Sequence, residues 1–318
     1  MLQYLIILLD DKSTSYCHCI NGKSVGRLIP LRTLKAGIRF GMMENLMIQF
    51  VYPNDELPQE YKDVVESIDH SKIVPATCED KVLIGEADVI VLNAWEDIQK
   101  IGFDLEKSYV LRTDKKELFG RYKQLKDLLS SVARLNVVIT DVDTFTDEDF
   151  EKYKEVLAAL SEEVEKIFVD GKSPQLNLLT DRLMLKDMNN CGAGDSNITL
   201  APNGKFYICP AFYYEEETDS IGDLDAGLDI KNKQLFRLDH APICSHCDAW
   251  QCKRCVWLNR KTTLEVNTPS REQCVMAHME RNTSRELLAN IRKHGTFLPG
   301  TEIKEIDYID PFEGRDKW

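Results

Sequence analysis

Seven of the ten cysteines fall in one stretch, at Cys191, Cys209, Cys244, Cys247, Cys252, Cys255 and Cys274. Their spacing reads CX12GX4C, then CX2CX4CX2C after a gap, then one distant cysteine. Thiolates two or four residues apart can turn back on one metal, and two such pairs with long-range partners suggest two metal centres. The plain alternative, buried structural thiols, does not account for seven cysteines at these intervals.

Two more cysteines flank a histidine, Cys17-His18-Cys19, directly after an apolar run at residues 4–9. The C-terminal end of a first strand is where barrel proteins place their chemistry. The trio could ligate a metal, exchange disulfides with a cysteine-bearing peptide or relay a persulfide; ordinary loop thiols are the competing reading. Cys78 stands alone and is expected to be structural, or to complete a metal centre that lacks a fourth ligand. His246 and His278 lie beside the clustered cysteines and are expected to hydrogen-bond near the sulfurs or to face solvent rather than to ligate. Lys253 and Arg254 either offset thiolate charge or form a solvated pair, and Trp250 and Trp257 are expected to cover the centres from water.

The rest of the composition narrows the classes. A net charge of -13 over 318 residues, with no basic stripe, argues against nucleic acid and anionic membrane as partners. The first residues show no basic leader and no run is long enough to span a bilayer, so a soluble cytoplasmic setting with reduced thiols is expected. Paired acids such as Asp141 and Asp143, or Glu148 and Asp149, are explained by a strand end and a first helical turn, so no general acid or base is assigned. Neither a phosphate-binding glycine loop nor a nucleophile elbow is found.

These residues need a scaffold, and the first 190 positions supply an alternating one. Strands are expected at residues 4–9, 47–52, 87–92, 108–111 and 136–140, and helices at 31–45, 56–68 and 115–133. A further helix opens at Thr146, with Asp147, Glu148 and Asp149 in its first turn. Its apolar positions, Phe150, Tyr153, Val156, Leu157, Leu160, Val164, Ile167 and Phe168, recur at helical spacing and belong to a core. Parallel strands with helical crossovers fit best, an α/β class. Beyond residue 188, two short runs flank Pro202-Asn203-Gly204 and read as a β-hairpin that carries Cys191 near its entry and Cys209 at its exit.

The cysteine pattern resembles the SPASM extension of radical SAM peptide-modifying enzymes. A narrower resemblance, to the CXXX repeat peptide maturase family, rests on the run from Cys252-Lys253-Arg254-Cys255-Val256-Trp257 through Asn267-Thr268-Pro269 to Gln273-Cys274. It extends to Ser15-Tyr16-Cys17-His18 and to residues 46–53. The resemblance implies a degenerate partial (β/α) barrel of radical SAM type over residues 1–187, a small cysteine-rich SPASM-like domain with a hairpin over 188–285, and a tail over 286–318. It implies two auxiliary 4Fe-4S clusters: Cys244, Cys247, Cys252 and Cys274 on one, and Cys191, Cys209 and Cys255 on the other, whose fourth position is open or taken by Cys78.

The same resemblance implies maturation of a ribosomally made, cysteine-rich precursor peptide. The chain departs from it where a radical SAM enzyme carries CX3CX2C after its first strand. Only Cys17-His18-Cys19 stands there, which argues against S-adenosylmethionine cleavage by this chain. Two other classes therefore stay open. The protein could be an iron-sulfur accessory or electron-transfer partner of a true radical SAM enzyme or another maturation protein. It could also be a zinc-stabilised peptide- or protein-binding module, since CX2C pairs build structural zinc sites too.

Overall fold

The computed structural model describes residues 2–188 and 191–313. The chain begins with β1 (Tyr4–Leu8), α1 (Leu31–Met43), β2 (Met47–Val51), α2 (Gln59–Val65), β3 (Ser71–Pro75), α3 (Lys81–Glu86) and β4 (Val89–Leu92). Next come β5 (Ser108–Thr113), α4 (Lys115–Arg121), α5 (Lys123–Leu129), β6 (Arg134–Ile139), α6 (Asp147–Val169), β7 (Gln175–Leu176) and α7 (Asp181–Met184). The last part holds β8 (Asn197–Leu200), β9 (Phe206–Tyr207), α8 (Pro210–Glu215), β10 (Gly222–Asp223), β11 (Gly227–Leu228), α9 (Val256–Thr263) and α10 (Arg271–Ile291). Among the described residues no helix is long and apolar enough to cross a membrane.

Two compact units emerge, and each draws on both sides of residue 188. One joins the residues up to Gly102 with Gly192–His240; the other joins Phe103–Cys191 with the chain from Ala241 onward. The division expected at 187/188 follows cysteine content along the sequence, whereas these units follow packing.

In the first unit β1 is a central strand. It pairs in parallel with β2 (Tyr4↔Met47) on one side and with β8 (Tyr4↔Asn197) on the other, and β2, β3 and β4 continue in parallel. A strand covered on both faces reads as a continuous apolar run, and Leu5, Ile7, Leu8 and Leu9 are fully buried. The expected hairpin forms: β8 and β9 are antiparallel, and Gly204 turns the chain at φ +80°. α1 lies close against this layer because Gly37 has no side chain; a Cβ there would stand 2.3 Å from Leu200 Cδ2.

The second unit carries β5, β6 and β7 in parallel register (Ser108↔Arg134, Arg134↔Gln175). Thr146 caps α6 as expected, its Oγ1 accepting from Asp149 N at 3.3 Å while Asp149 Oδ2 accepts from Thr146 N at 3.0 Å. The single helix expected over residues 115–133 is instead two, meeting at Tyr122 and ending at Leu129. α6 packs against α10, where Tyr153 donates to Glu280 at 2.7 Å. The C-terminal segment folds back on α10: Arg271 pairs with Asp310 at 2.7 Å and Ile303 is buried.

Candidate functional site

The second unit gathers Cys244, Cys247, Cys252 and Cys274. The first two open and follow a short turn at Cys244–His246, Cys252 follows a loop whose N–H bonds back to Ala249 O, and Cys274 projects from the first turn of α10. The four lie in one another's electrostatic field: Cys252, Cys244 and Cys247 each raise the Cys274 thiol, after burial itself. Burial also pushes Cys244 up to about 11 and Cys252 up to about 12, so these thiols stay protonated until a metal displaces the protons.

Around the thiols stand three arginines with almost no exposure, Arg182, Arg254 and Arg281. Arg281 donates twice to Asp248, and Arg182 donates to the same carboxylate at 2.9 Å. Arg182 stacks on Trp250 at 3.9 Å. Its Nε and Nη1 have no hydrogen-bond partner among the described residues, nor has Gln251 Oε1. Arg254 opposes the rise of the Cys244 thiol, and Arg281 and Arg182 oppose that of Cys247.

Arg182 and Arg281 share the single Asp248 carboxylate in a place where bare charge is costly. An anionic metal-thiolate group would answer the second cation, and four cysteines in one another's electrostatic field are of the donor type that holds a 4Fe-4S cluster. The residues present therefore fit such a group. Among the described residues no three His, Cys, Asp or Glu side chains gather at the spacing of a single bound ion.

His278 is buried on α10, with Nδ1 on the Ile309 carbonyl and Nε2 3.5 Å from Cys247 Sγ. This is the hydrogen-bonding position expected of it, while His246 is exposed. Trp257 is buried under Lys261, 5.4 Å from the ring, and Lys253 pairs with Asp181 at 3.5 Å. Cys255, also buried, precedes α9; Cys191 is exposed, with its N–H on Lys253 O. Cys209, expected to join these two, belongs to the first unit, where its field reaches Cys19. Cys78 is buried after β3, beside the cap of α3 and in the field of Tyr52.

In the first unit the loop after β1 is held rigidly. Ser13 Oγ donates to Val51 O at 2.7 Å, Thr14 N to Tyr52 O at 3.0 Å, and Asn93 reaches Thr14 Oγ1 at 3.0 Å. Tyr213 donates to Asp11, which also pairs with Arg27 at 3.3 Å. The loop delivers Cys17, half-buried, and Cys19, buried, with their sulfurs 3.4 Å apart; His18 between them is half-buried. Sulfurs in van der Waals contact are not placed as ligands of separate irons. The loop thus does not fit the three-cysteine cluster that S-adenosylmethionine requires in radical chemistry.

Sequence reasoning missed Arg182 and Arg281. The signal was faint: Cys274, His278 and Arg281 fall on one helical face at intervals of four and three.

No protein-family model matches the chain. Nor does any curated protein match it in sequence. Solved structures do resemble it. A His-tagged anSMEcpe with bound AdoMet superposes with a TM-score of 0.58 at 12% identity, covering 94% of this chain and 98% of that one. Native anSMEcpe with bound AdoMet and Cp18Cys peptide gives 0.59 at 12% identity, over 92% and 100%. Identity this low speaks for the fold alone. The chain shares the mixed α/β, mostly parallel architecture of these structures.

Proposed function

We propose that this protein is a peptide-modifying enzyme whose Cys244, Cys247, Cys252 and Cys274 hold an auxiliary 4Fe-4S cluster. The observation that carries the reading is the set of buried, electrostatically coupled thiols beside Arg182 and Arg281, which share one carboxylate while Arg182 Nε and Nη1 have no hydrogen-bond partner among the described residues. A bound cluster supplies electron transfer or a Lewis-acidic iron. The chain's own residues do the rest. Arg281 and Arg182 hold Asp248 against the pocket, Trp250 screens it, and His278 is positioned by Ile309 to hydrogen-bond at Cys247.

Cys191, Cys209 and Cys255 are assigned, on the cysteine pattern, to a second cluster. The substrate proposed is a ribosomally made, cysteine-containing peptide, as in the CXXX repeat family. The peptide seen with anSMEcpe supports a peptide as the class of substrate for this fold. No step is routed through S-adenosylmethionine, because the loop at Cys17 and Cys19 does not fit its cluster.

Anaerobic purification with iron, sulfide and zinc analysis and a visible spectrum tests the assignment, comparing the intact chain with Cys252→Ala and Cys209→Ala. Iron and sulfide for two clusters, halved in each variant, is the expected result. A colourless protein with stoichiometric zinc would overturn it.

A further inference from the structure

The pair Cys17 and Cys19 is left without a role by the cluster pocket, and its geometry has chemistry of its own. Their sulfurs touch at 3.4 Å, and closing to a disulfide bond of about 2.05 Å needs a shift of only about 1.4 Å. Ser15 lies against both. Its hydroxyl donates to Cys19 O at 2.7 Å, so its lone pairs face Cys19 Sγ at 3.3 Å and Cys17 Sγ at 3.7 Å. The two thiols differ in access, Cys17 half-buried and Cys19 buried. An accessible attacking thiol with a shielded partner in contact is the arrangement of a dithiol exchange site. The backbone around it is pinned by Ser13, Thr14 and Asn93, so the pair is preformed.

We propose that Cys17 and Cys19 form a thiol–disulfide exchange site for a cysteine-bearing peptide. The Cys17 thiolate attacks the peptide disulfide, releasing one peptide thiol and leaving a mixed disulfide. Cys19 then attacks the Cys17 sulfur, releasing the second peptide sulfur and forming the Cys17–Cys19 disulfide; the two protons given up by Cys17 and Cys19 are taken up by the two released peptide thiolates, leaving two peptide thiols. The electrons pass from the protein dithiol to the peptide disulfide, and the reverse reaction hands a disulfide to a peptide dithiol. Contact with Cys17 and burial push the Cys19 thiol well above its usual value, with the field of Cys209 adding to the rise.

This inference goes beyond the proposed function and does not depend on the metal at Cys244, Cys247, Cys252 and Cys274. It is tested on the full-length, anaerobically purified protein, with oxidised glutathione and a synthetic one-disulfide peptide as probes. Mass spectrometry of the fragment holding residues 17 and 19 follows the chemistry, with iron measured alongside. The expected result is a reversible loss of two hydrogens in that fragment, glutathione trapped on Cys17 in the Cys19→Ser variant, and peptide-disulfide reduction slowed at least ~10-fold in Cys17→Ser. Unchanged iron in both variants belongs to that result. An unmodified fragment, no trapped adduct, or iron lost with either cysteine would overturn it.

Discussion

Arg281 and Asp248 form a two-pronged ion pair, Nε to Oδ1 and Nη2 to Oδ2, each at 2.8 Å. The arginine is fully buried, while the carboxylate keeps 35% of its side-chain exposure and shares itself with Arg182. Burial alone would raise the Asp248 carboxyl, but the two arginines outweigh it and hold it below its ordinary value. One acid thus organises two cations at the edge of the thiol pocket.

Arg281→Gln should lower the denaturant midpoint at neutral pH, with a stability loss of about 2 kcal/mol or more, less than for a wholly enclosed pair because water reaches Asp248. Arg281→Lys should recover only part of it, since an ammonium cannot reproduce the fork. Equal midpoints for Gln, Lys and native chains would contradict the structural role given to the pair.

Glu280 offers a pH signature. Burial is the main cause that raises it to about 7 from 4.5, against hydrogen bonds from Tyr153 and Gln251 and the nearby Lys253. The folded protein therefore holds this proton more tightly than the unfolded chain does. Its contribution is full below about pH 4.5 and is lost as pH rises through about 7, a change of about 3 kcal/mol. Urea unfolding across that window should show the decline in the native chain and a flatter profile in Glu280→Gln; parallel profiles would refute it.

At the other pH extreme, Lys115 beside Asp149 draws that carboxyl down to about 2, helped by the Thr146 cap. A depressed acid stabilises above its unfolded value and loses that stabilisation as pH falls through the folded one. Acid titration of Asp149→Asn should show less loss between about pH 4 and 2, and the native effect should shrink in high salt. Thr146→Ala should cost about 1 kcal/mol at neutral pH.

Gly37→Ala should destabilise the first unit by about 1 kcal/mol in thermal unfolding, the clash with Leu200 exceeding the gain in helix propensity. In the Gly37→Ala, Leu200→Ala double variant the losses should fall short of additive. Additive losses would mean that the two positions do not meet.

Much of this scaffold was legible in the chain. The apolar run of β1, the Thr146 cap and the Pro202-Asn203-Gly204 turn are local signals, set by residues that settle their own backbone. β3 was not seen because Lys72 and Pro75 disguise it, although it lies between β2 and β4 with Lys72 neutralised by Glu66 and Glu86. The cysteine spacing pointed to a thiol pocket, but Arg182 and Arg281 were invisible, since a buried cation distant in sequence makes sense only after the group it faces is located. That Cys17 and Cys19 touch depends on a loop held by residues nearly 40 and 80 positions away, Val51 and Asn93.

The parallel pairing of β1 with β8 also bears on how the chain is made. Residues 4–8 leave the ribosome long before residues 197–200, and at roughly 5–20 residues per second the wait is on the order of ten seconds or more. Through that interval β1 has one open edge, a row of free amides on a strongly apolar strand. Translation arrest or cleavage near residue 190 would expose that edge permanently, so fragments ending there should aggregate rather than persist as a free N-terminal half.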